Sequence, residues 1–287
     1  MHFPSSELVL NDKGQVYHLG LLPENISEKI IIVGDQDRVS LVSSFFDSLE
    51  HVSQHREFVC HTGYYHGKRI TVLSTGIGTD NIDIVVNELD ALVNIDLKKR
   101  IEKEQPTSLD IIRIGTCGIL QPEIPVHSWI LSTHSFGLDN IAHFYDIPFH
   151  PEEDLLFKEI VAQIEPPRGI EPYLISSDTT IFERLNSESV FSGITVTSSG
   201  FYGPQGRQLR LRNRHTNLNE VLTNFKFDKY RITNFEMESS ALFALGRGLG
   251  HRTGTICLGV ANRPAGQFSK GYNDEMMKLI EYVLRRI

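Results

Sequence analysis

Short apolar runs alternate with helical patterns from residue 29 onward, and this alternation constrains the fold more than any other feature of the chain. Lys29–Val33 is typical of a buried strand, because the run is apolar and stops at a glycine. Residues 38–46 follow with helical spacing. Strands that alternate with helices predict an α/β protein with a covered, mixed or parallel sheet.

The remaining predicted elements continue the same alternation. Further strands are predicted at residues 57–60, 69–74, 110–114, 129–133, 194–197 and 255–260. Further helices are predicted at residues 81–94, 152–164, 236–249 and 273–286.

The chain has 287 residues, enough for one large α/β domain or two ordinary ones. The alternation is interrupted twice. The charged connector at residues 98–108 is typical of a solvated helix end or a loop insertion, and residues 165–169 form the second break. Strand–helix units lie on both sides of each break, so neither separates two self-sufficient halves. We therefore expect residues 1–287 to form a single domain, with residues 98–108 as a loop insertion.

Charge and cysteine content narrow the function classes. The formal net charge of −8 argues against nucleic acid as a partner, although a local arginine cluster can still bind a small anion. No apolar run approaches the roughly 20 residues of a membrane span, and no signal peptide is recognisable, so we expect no membrane association. Cys60, Cys117 and Cys257 form no disulfide framework, which favours a reducing compartment. We therefore expect a cytoplasmic protein.

A loop stiffened by proline and loosened by glycine carries an amide and a guanidinium two positions apart. These are Gln205 and Arg207, in the run Phe-Tyr-Gly-Pro-Gln-Gly-Arg that begins at Phe201. Gln205 offers one acceptor and two donors, whereas Arg207 offers only donors in a planar fork. Such a pair can bind a base edge that carries two carbonyls with an N–H between them, which describes uracil.

The first predicted strand ends in a turn that can receive an anion. Gly34 lets the backbone approach a ligand, and Arg38 follows within one helical turn. Alternatively, this is an ordinary strand-to-helix turn in which Asp35 or Asp37 caps the helix. Taken alone, the motif favours the cap.

A second strand, at residues 110–114, contains an arginine within an apolar run. Arg113 is costly to bury there unless it is paired or faces a ligand. Thr116 and the glycines at 115 and 118 follow, and their hydroxyl and backbone N–H groups can bind phosphate. The alternative is an ion pair between Arg113 and a buried carboxylate. The cost of burial and the flanking donors together favour an anion site.

A third candidate is the run Glu236-Met237-Glu238 at a predicted helix start. A carboxylate accepts hydrogen bonds from vicinal hydroxyls such as those of ribose, and a methionine can lie against the apolar face of a sugar. The alternative is an acidic pair that stabilises the helix dipole.

Several familiar patterns are incomplete. The glycines of residues 74–80 lack the third glycine of a dinucleotide fingerprint, and residues 63–68 are one residue short of a P-loop. His51 and His55 lack a third metal ligand, and no serine lies in a nucleophile elbow.

These motifs occur together, in order, in a known family. The chain resembles the uridine phosphorylases of the nucleoside phosphorylase-I superfamily from residue 16 almost to its C-terminus. The matching motifs lie at residues 16–21, 34–39, 55–58, 74–78, 113–116, 201–207 and 234–239. The resemblance implies a single-domain, three-layer α/β/α sandwich around a mixed, partly barrel-like sheet.

The resemblance also implies roles for individual residues. Those that hold phosphate are Gly34, Arg38, Arg56, Arg113 and Thr116. Those that hold ribose are His18, Thr116, Glu236, Met237 and Glu238. Those at the base are Gly118, Phe201, Gln205, Arg207 and Arg263. The catalytic residues among them are Arg38, Arg113, Gln205 and Arg207.

The family builds its site between subunits. The resemblance implies that Arg56 and His18, with the N-terminal arm 1–28, reach a neighbouring subunit's site. We therefore expect a homo-oligomer, at least a dimer and in the bacterial branch a hexamer. Inorganic phosphate is the co-substrate and no cofactor or metal is required, although the family can hold potassium, here near Glu57, Ile77 and Asn81.

The implied activity is that of a pentosyltransferase: reversible phosphorolysis of uridine, and by extension deoxyuridine, to uracil and (deoxy)ribose 1-phosphate. The purine branch places an aspartate after the late strand, whereas residues 261–264 here are Ala-Asn-Arg-Pro. Two prolines common in the phosphate turn are replaced by Val33 and Gln36, and residues 78–80 depart from a common Gly-Gly-Pro. The open alternatives are a phosphorylase or nucleosidase for purine nucleosides or thymidine, and a non-catalytic nucleoside-binding paralogue.

Overall fold

The structure is a computed structural model that describes residues 2–287. The α-helices are α1 Gln36–Ser43, α2 Thr79–Asn94, α3 Pro151–Ile164, α4 Thr179–Leu185, α5 Leu218–Asn224, α6 Ser239–Gly248 and α7 Asn273–Leu284. The strands are β1 Lys29–Val33, β2 Ser48–His55, β3 Phe58–Tyr65, β4 Lys68–Ser74, β5 Ile95–Asp96, β6 Ile101–Glu102, β7 Asp110–Ile119, β8 Trp129–Leu138, β9 Tyr173–Ser176, β10 Val190–Ser198, β11 Lys226–Phe227, β12 Tyr230–Glu236, β13 Arg252–Asn262 and β14 Gln267–Phe268. Short 3₁₀ helices lie at Pro23–Asn25, Ile141–Phe144 and Gly203–Gln205.

The central sheet closes on itself over part of its width. Strands β7, β13, β8, β10 and β12 pair in that order, and β12 then pairs back with β7, so the five strands form a closed barrel. From β7 the sheet continues as β1, β4, β3 and β2. Parallel and antiparallel pairs are mixed, since β1 is parallel to β4 and β7 whereas β3 is antiparallel to β4.

Strand β1 shows why both faces of the open part of the sheet are covered. Its side chains alternate between two cores, because successive residues of a strand point to opposite faces. Ile30 and Ile32 pack with residues of α2 and α6, whereas Ile31 and Val33 pack with residues of α1 and α7. A polar side chain on either face would be buried, so every residue of the strand after Lys29 is apolar. Helices on both sides of a mixed sheet with a closed barrel confirm the predicted α/β/α sandwich and its partly barrel-like sheet.

Most predicted strands and helices are confirmed, with shifted ends. The strand predicted at 57–60 is the longer β3, and its hairpin to β4 turns at His66 and Gly67, which have φ of 47° and 76°. Positive φ at both central residues is the geometry of a two-residue turn that matches strand twist. The helix predicted at 38–46 is α1, which starts and ends earlier.

The helix predicted at residues 236–249 was wrong at its start. Glu236 is the last residue of β12, and helix α6 begins at Ser239. The Glu236 carboxylate accepts hydrogen bonds from the backbone N–H groups of Glu238 and Ser239, so it caps the helix from the strand that precedes it. Strand and helix therefore meet at a tight junction.

Residues 98–108 include part of the turn and the second strand of a small hairpin and do not extend a helix. Strands β5 and β6 pair with each other, and Arg100 exchanges hydrogen bonds with Phe3, so the connector is tied to the N-terminal segment. Met1 lies outside the described residues, and the assignment of residues 1–287 to one domain stays a prediction. Among residues 2–287, no helix is long and apolar enough to cross a membrane.

Candidate active site

A cavity of about 820 Å³ lies beside the turns that follow β1 and β4 and beside the β12–α6 junction. Open α/β sheets bind ligands where parallel strands end. The predicted site residues that line the cavity are Gly34, Arg38, Glu57, Ile77, Asn81, Arg113, Thr116, Gly118, Phe201, Gln205, Arg207, Glu236, Met237 and Glu238. The sequence motifs, which are widely separated along the chain, therefore meet at one place.

Arg38 is a buried cation at one wall of this cavity. Its side-chain hydrogen bond goes to the carbonyl of Ile114, at 3.4 Å, and burial lowers the pKa of its guanidinium. No carboxylate among residues 2–287 forms an ion pair with it. The Asp35 side chain caps α1 by accepting from the Asp37 N–H, so the cap and the cavity-facing arginine coexist in one turn.

Arg113 combines both interpretations of its position in β7. It lines the cavity, and it is ion-paired with two buried carboxylates, Glu238 through Nη2 and Glu236 through Nη1 at 3.3 Å. Burial acts to lower the pKa of the guanidinium, but attraction to the two carboxylates outweighs burial and raises it. The carboxylate pairing that the sequence analysis set aside is therefore present.

The two glutamates have different hydrogen-bond partners. Glu236 caps α6 and also accepts from the Thr197 hydroxyl at 2.5 Å, so it belongs to the frame of the site. Glu238 accepts from the Gly78 N–H at 2.9 Å and from Arg113, at the cavity wall. Both carboxylates therefore pair with Arg113, but only Glu236 also caps α6.

Gln205 and Arg207 lie side by side at another wall. Arg207 Nη1 donates to Gln205 Oε1 at 2.5 Å and to the Phe201 carbonyl at 2.6 Å, and its guanidinium stacks on the Phe201 ring at 3.7 Å. Among residues 2–287, no group accepts from Gln205 Nε2 or Arg207 Nη2. Gln205 is buried, and both residues face the cavity with donors to spare.

Three predicted site residues lie outside the cavity lining. Arg56 is exposed in the β2–β3 turn, with φ of 55°, and lies over the Tyr17 ring at 5.2 Å. His18 contacts Glu88, with Nδ1 2.6 Å from Oε1. Arg263 donates to the Gln205 carbonyl at 2.7 Å, on the side of that peptide away from the cavity lining. Neither Arg56 nor His18 reaches the cavity of its own chain.

Glu57, Ile77 and Asn81 lie together where a cation was expected. A Cβ at Gly76 would meet the side chains of both Asn81 and Glu57, and all three residues line the cavity. Among residues 2–287, no group donates a hydrogen bond to the Glu57 carboxylate or bonds the Asn81 amide. Carboxylate, amide and backbone oxygens suit a hard cation, so these residues fit the group that the resemblance implies.

The apolar part of the lining was not predicted from the sequence. Phe235, Val260 and Phe268 face the cavity together with Cys117. Val260 does so because β13 shifts register between Gly259 and Ala261, and such an irregularity redirects a side chain. An apolar residue in an apolar strand gives no local signal that it faces a ligand instead of the core.

Comparison with known proteins assigns the chain to a family. Residues 28–284 match the model of the Phosphorylase superfamily, and the chain belongs to that family. It is 29% identical over 279 residues to a uridine phosphorylase of Thermococcus kodakarensis, covering 95% of this chain and 87% of that protein. It is 27% identical over 288 residues to the uridine phosphorylase of Escherichia coli, covering 96% and 99%.

A solved structure agrees with this assignment. The crystal structure of a Trypanosoma brucei nucleoside phosphorylase, described as showing uridine phosphorylase activity, superposes with a TM-score of 0.89 at 30% identity, covering 98% of this chain and 99% of that one. The predictions of this family and of an enzyme of the pentosyltransferase class are therefore confirmed.

Proposed function

We propose that this chain catalyses the reversible phosphorolysis of uridine to uracil and ribose 1-phosphate. The observation that carries the proposal is Arg38, which is 7% exposed and has no carboxylate ion-pair partner among residues 2–287. A buried cation without a counter-ion is costly, so an anionic ligand is expected beside it. Gly34 and Arg113 line the same cavity and complete a phosphate site.

The base end of the cavity is suited to a leaving group that becomes negative. Arg207 and Arg263 lie close together, and neither has a carboxylate partner in the described part of the chain. Burial, followed by repulsion from Arg263, lowers the pKa of Arg207 to about 10, so it remains a cation at neutral pH. Preorganised positive charge of this kind stabilises the uracil anion that forms as the glycosidic bond breaks. The Gln205 amide supplies the acceptor and donor that match the N–H and a carbonyl of uracil.

The sugar is held by Glu238 and Met237 in this proposal. A ribose hydroxyl that donates to Glu238 competes with Arg113 for the same carboxylate, and this frees guanidinium donors for phosphate. Phosphate held beneath the anomeric carbon is both the nucleophile and the counter-charge for the cationic sugar. No covalent enzyme intermediate is needed.

We further propose that two protomers share each site. Arg56 and His18 belong to the predicted phosphate and ribose sets, yet both lie outside the cavity of their own chain. A second copy of the chain can supply them from its Arg56 turn and N-terminal arm. Glu57, Ile77 and Asn81 would hold potassium as a structural ion.

The test is release of free base from nucleosides, with and without inorganic phosphate. We expect uracil from uridine only when phosphate is present, and little hypoxanthine from inosine under the same conditions. Inosine turnover above that of uridine would contradict the pyrimidine assignment. Phosphate-independent release would indicate a nucleosidase, and uridine binding without turnover would indicate a non-catalytic paralogue.

A further inference from the structure

We propose that Asn219 is a positioning residue that aligns Gln205 and Arg207 for base recognition and leaving-group stabilisation. The inference rests on the proposed function, because it concerns the base end of the same site. Asn219 lies on α5, outside the cavity lining and outside every motif of the sequence analysis. Its importance follows from contacts behind the base loop, residues 199–213.

The Asn219 amide joins the base loop to the arginine behind it. With the amide oriented to satisfy both of its ends, Nδ2 donates to the Gln205 carbonyl at 3.2 Å and Oδ1 accepts from Arg263 Nη2 at 2.9 Å. Arg263 Nη1 donates to the same Gln205 carbonyl at 2.7 Å. Asn219 and Arg263 therefore converge on one peptide group, directly behind the two base-binding side chains.

Gly206 shows how closely Asn219 approaches the loop. Gly206 has φ of 69°, and a Cβ there would lie 2.7 Å from the nearer terminal atom of the Asn219 side-chain amide. Both the left-handed backbone and the absence of a side chain are therefore needed. This glycine separates Gln205 from Arg207 and lets the loop turn against α5.

Apart from Asn219, the side chains that hydrogen-bond the loop from the rest of residues 2–287 are those of Ser198 and Arg263. The N–H groups of Gln205 and Arg207 both bond the Tyr202 carbonyl, so these hydrogen bonds stay within the loop. Helix α5, by contrast, is anchored in a core by Leu218 and Leu222. Because α5 is fixed, the hydrogen bond from Asn219 restricts the movement of the loop. The donors of Gln205 and Arg207 are then held in one geometry.

The charge pattern explains why position matters here. Asn219 offers Arg263 a neutral oxygen, so no carboxylate offsets the paired positive charge of Arg207 and Arg263 among the described residues. An aspartate would still accept from Arg263, but it could not donate to the Gln205 carbonyl. Its negative charge would also offset part of the positive charge of Arg207 and Arg263. The amide is therefore the side chain that supports the loop without weakening its attraction for an anionic base.

The experiment compares Asn219→Leu and Asn219→Asp with Asn224→Leu as the matched control. Asn224 ends the same helix, is exposed, and makes no side-chain hydrogen bond in the described part of the chain. Each protein is assayed with uridine and with 5-fluorouridine, whose base leaves more readily. Hydrogen exchange of the amides at 205–207 is measured in parallel.

We expect Asn219→Leu to lower kcat/KM for uridine about tenfold, the effect of losing its one hydrogen bond to the loop. The loss should be smaller for 5-fluorouridine, because a better leaving group depends less on Arg207. Asn219→Asp should show a larger loss, chiefly in kcat. The amides at 205–207 should lose protection in both variants and keep it in Asn224→Leu.

Equal losses for the two nucleosides, or unchanged kinetics and exchange in the Asn219 variants, would overturn the positioning role. The exchange measurement also separates this proposal from the proposed function. If the unaltered protein releases no uracil, the proposed function fails. The loss or retention of amide protection in Asn219→Leu then still decides whether Asn219 fixes the loop.

Discussion

Replacing Arg207 with methionine tests the base site most sharply, because methionine keeps much of the side-chain length and removes the guanidinium. Arg207 Nη1 is occupied by Gln205 and the Phe201 carbonyl, which leaves Nη2 as a donor toward the cavity. Removing one donor aimed at developing negative charge typically costs about 3 kcal/mol, or about a hundredfold in kcat. We therefore expect uridine phosphorolysis to fall by about two orders of magnitude.

The fold should survive this change. The guanidinium stacks on Phe201 and donates two hydrogen bonds within one loop, and a cation–π contact at a half-exposed position contributes only about 0.5–1 kcal/mol. Steady-state release of uracil in saturating phosphate is the assay, with thermal unfolding as the check on folding. Arg210→Met is the matched control, since Arg210 is exposed in the same loop and has no partner among residues 2–287. Near-normal turnover by a folded Arg207→Met, or an equal loss in Arg210→Met, would refute the assignment.

Three further predictions address the anion site, a buried ion pair and the core. Arg38→Met should raise KM for phosphate far more than KM for uridine, because the proposed role of this guanidinium is to bind the anion. Initial rates at varied phosphate and varied uridine measure both constants, and equal rises would contradict the role. Burial acts to raise the pKa of Glu153, but hydrogen bonds led by that from Arg247 lower it to about 2, so its stabilising effect is present above about pH 4.5 and is lost toward pH 2. In urea unfolding at pH 7, Glu153→Gln should therefore have a lower free energy of unfolding than the unaltered protein, and this difference should narrow on acidification. The exposed control Glu152→Gln should show no such difference. A difference for Glu153→Gln that does not change with pH would contradict the prediction. Ile31→Ala, at a fully buried position in β1, should lower the free energy of unfolding by about 2–5 kcal/mol, and a loss below about 1 kcal/mol would contradict the packing described.

The elements that the sequence predicted best are those whose signals are local. Lys29–Val33 was predicted with its observed bounds because both of its faces are buried and every position had to be apolar or a strand terminus. Strand β12 was not predicted, because its inward side chains include Asn234 and Glu236, which bond other polar groups inside the barrel. A polar barrel interior removes the apolar pattern on which strand prediction depends.

The start of the helix predicted at residues 236–249 was wrong for a related reason. The helical spacing of α6 extends backward in the sequence across Glu236, where the backbone is still a strand. A carboxylate that caps a helix from three residues upstream resembles a first-turn acidic residue, and spacing cannot distinguish the two. Strand β2 was missed because it is a mostly exposed edge strand without an apolar run.

The candidate site was predictable where a residue type was out of place. Arg113 in an apolar strand and the amide–guanidinium pair at 205–207 are both unusual in their local sequence, and both line the cavity. The carboxylate partners of Arg113 lie more than 120 positions later, so the sequence could not decide between pairing and ligand binding. Asn219 gives no signal at all, because its partners are a backbone carbonyl and an arginine brought together only by the fold.

The most direct measurement follows phosphorus and base together in one reaction. The protein is incubated with uridine and inorganic phosphate, with ³¹P NMR for the phosphate signal and ultraviolet absorbance for uracil. We predict a sugar 1-phosphate resonance that grows in equal amount with free uracil and reverses when uracil is added in excess. Uracil that accumulates while the inorganic phosphate signal stays constant, or uridine that remains intact, would contradict a cavity that joins phosphate to the sugar.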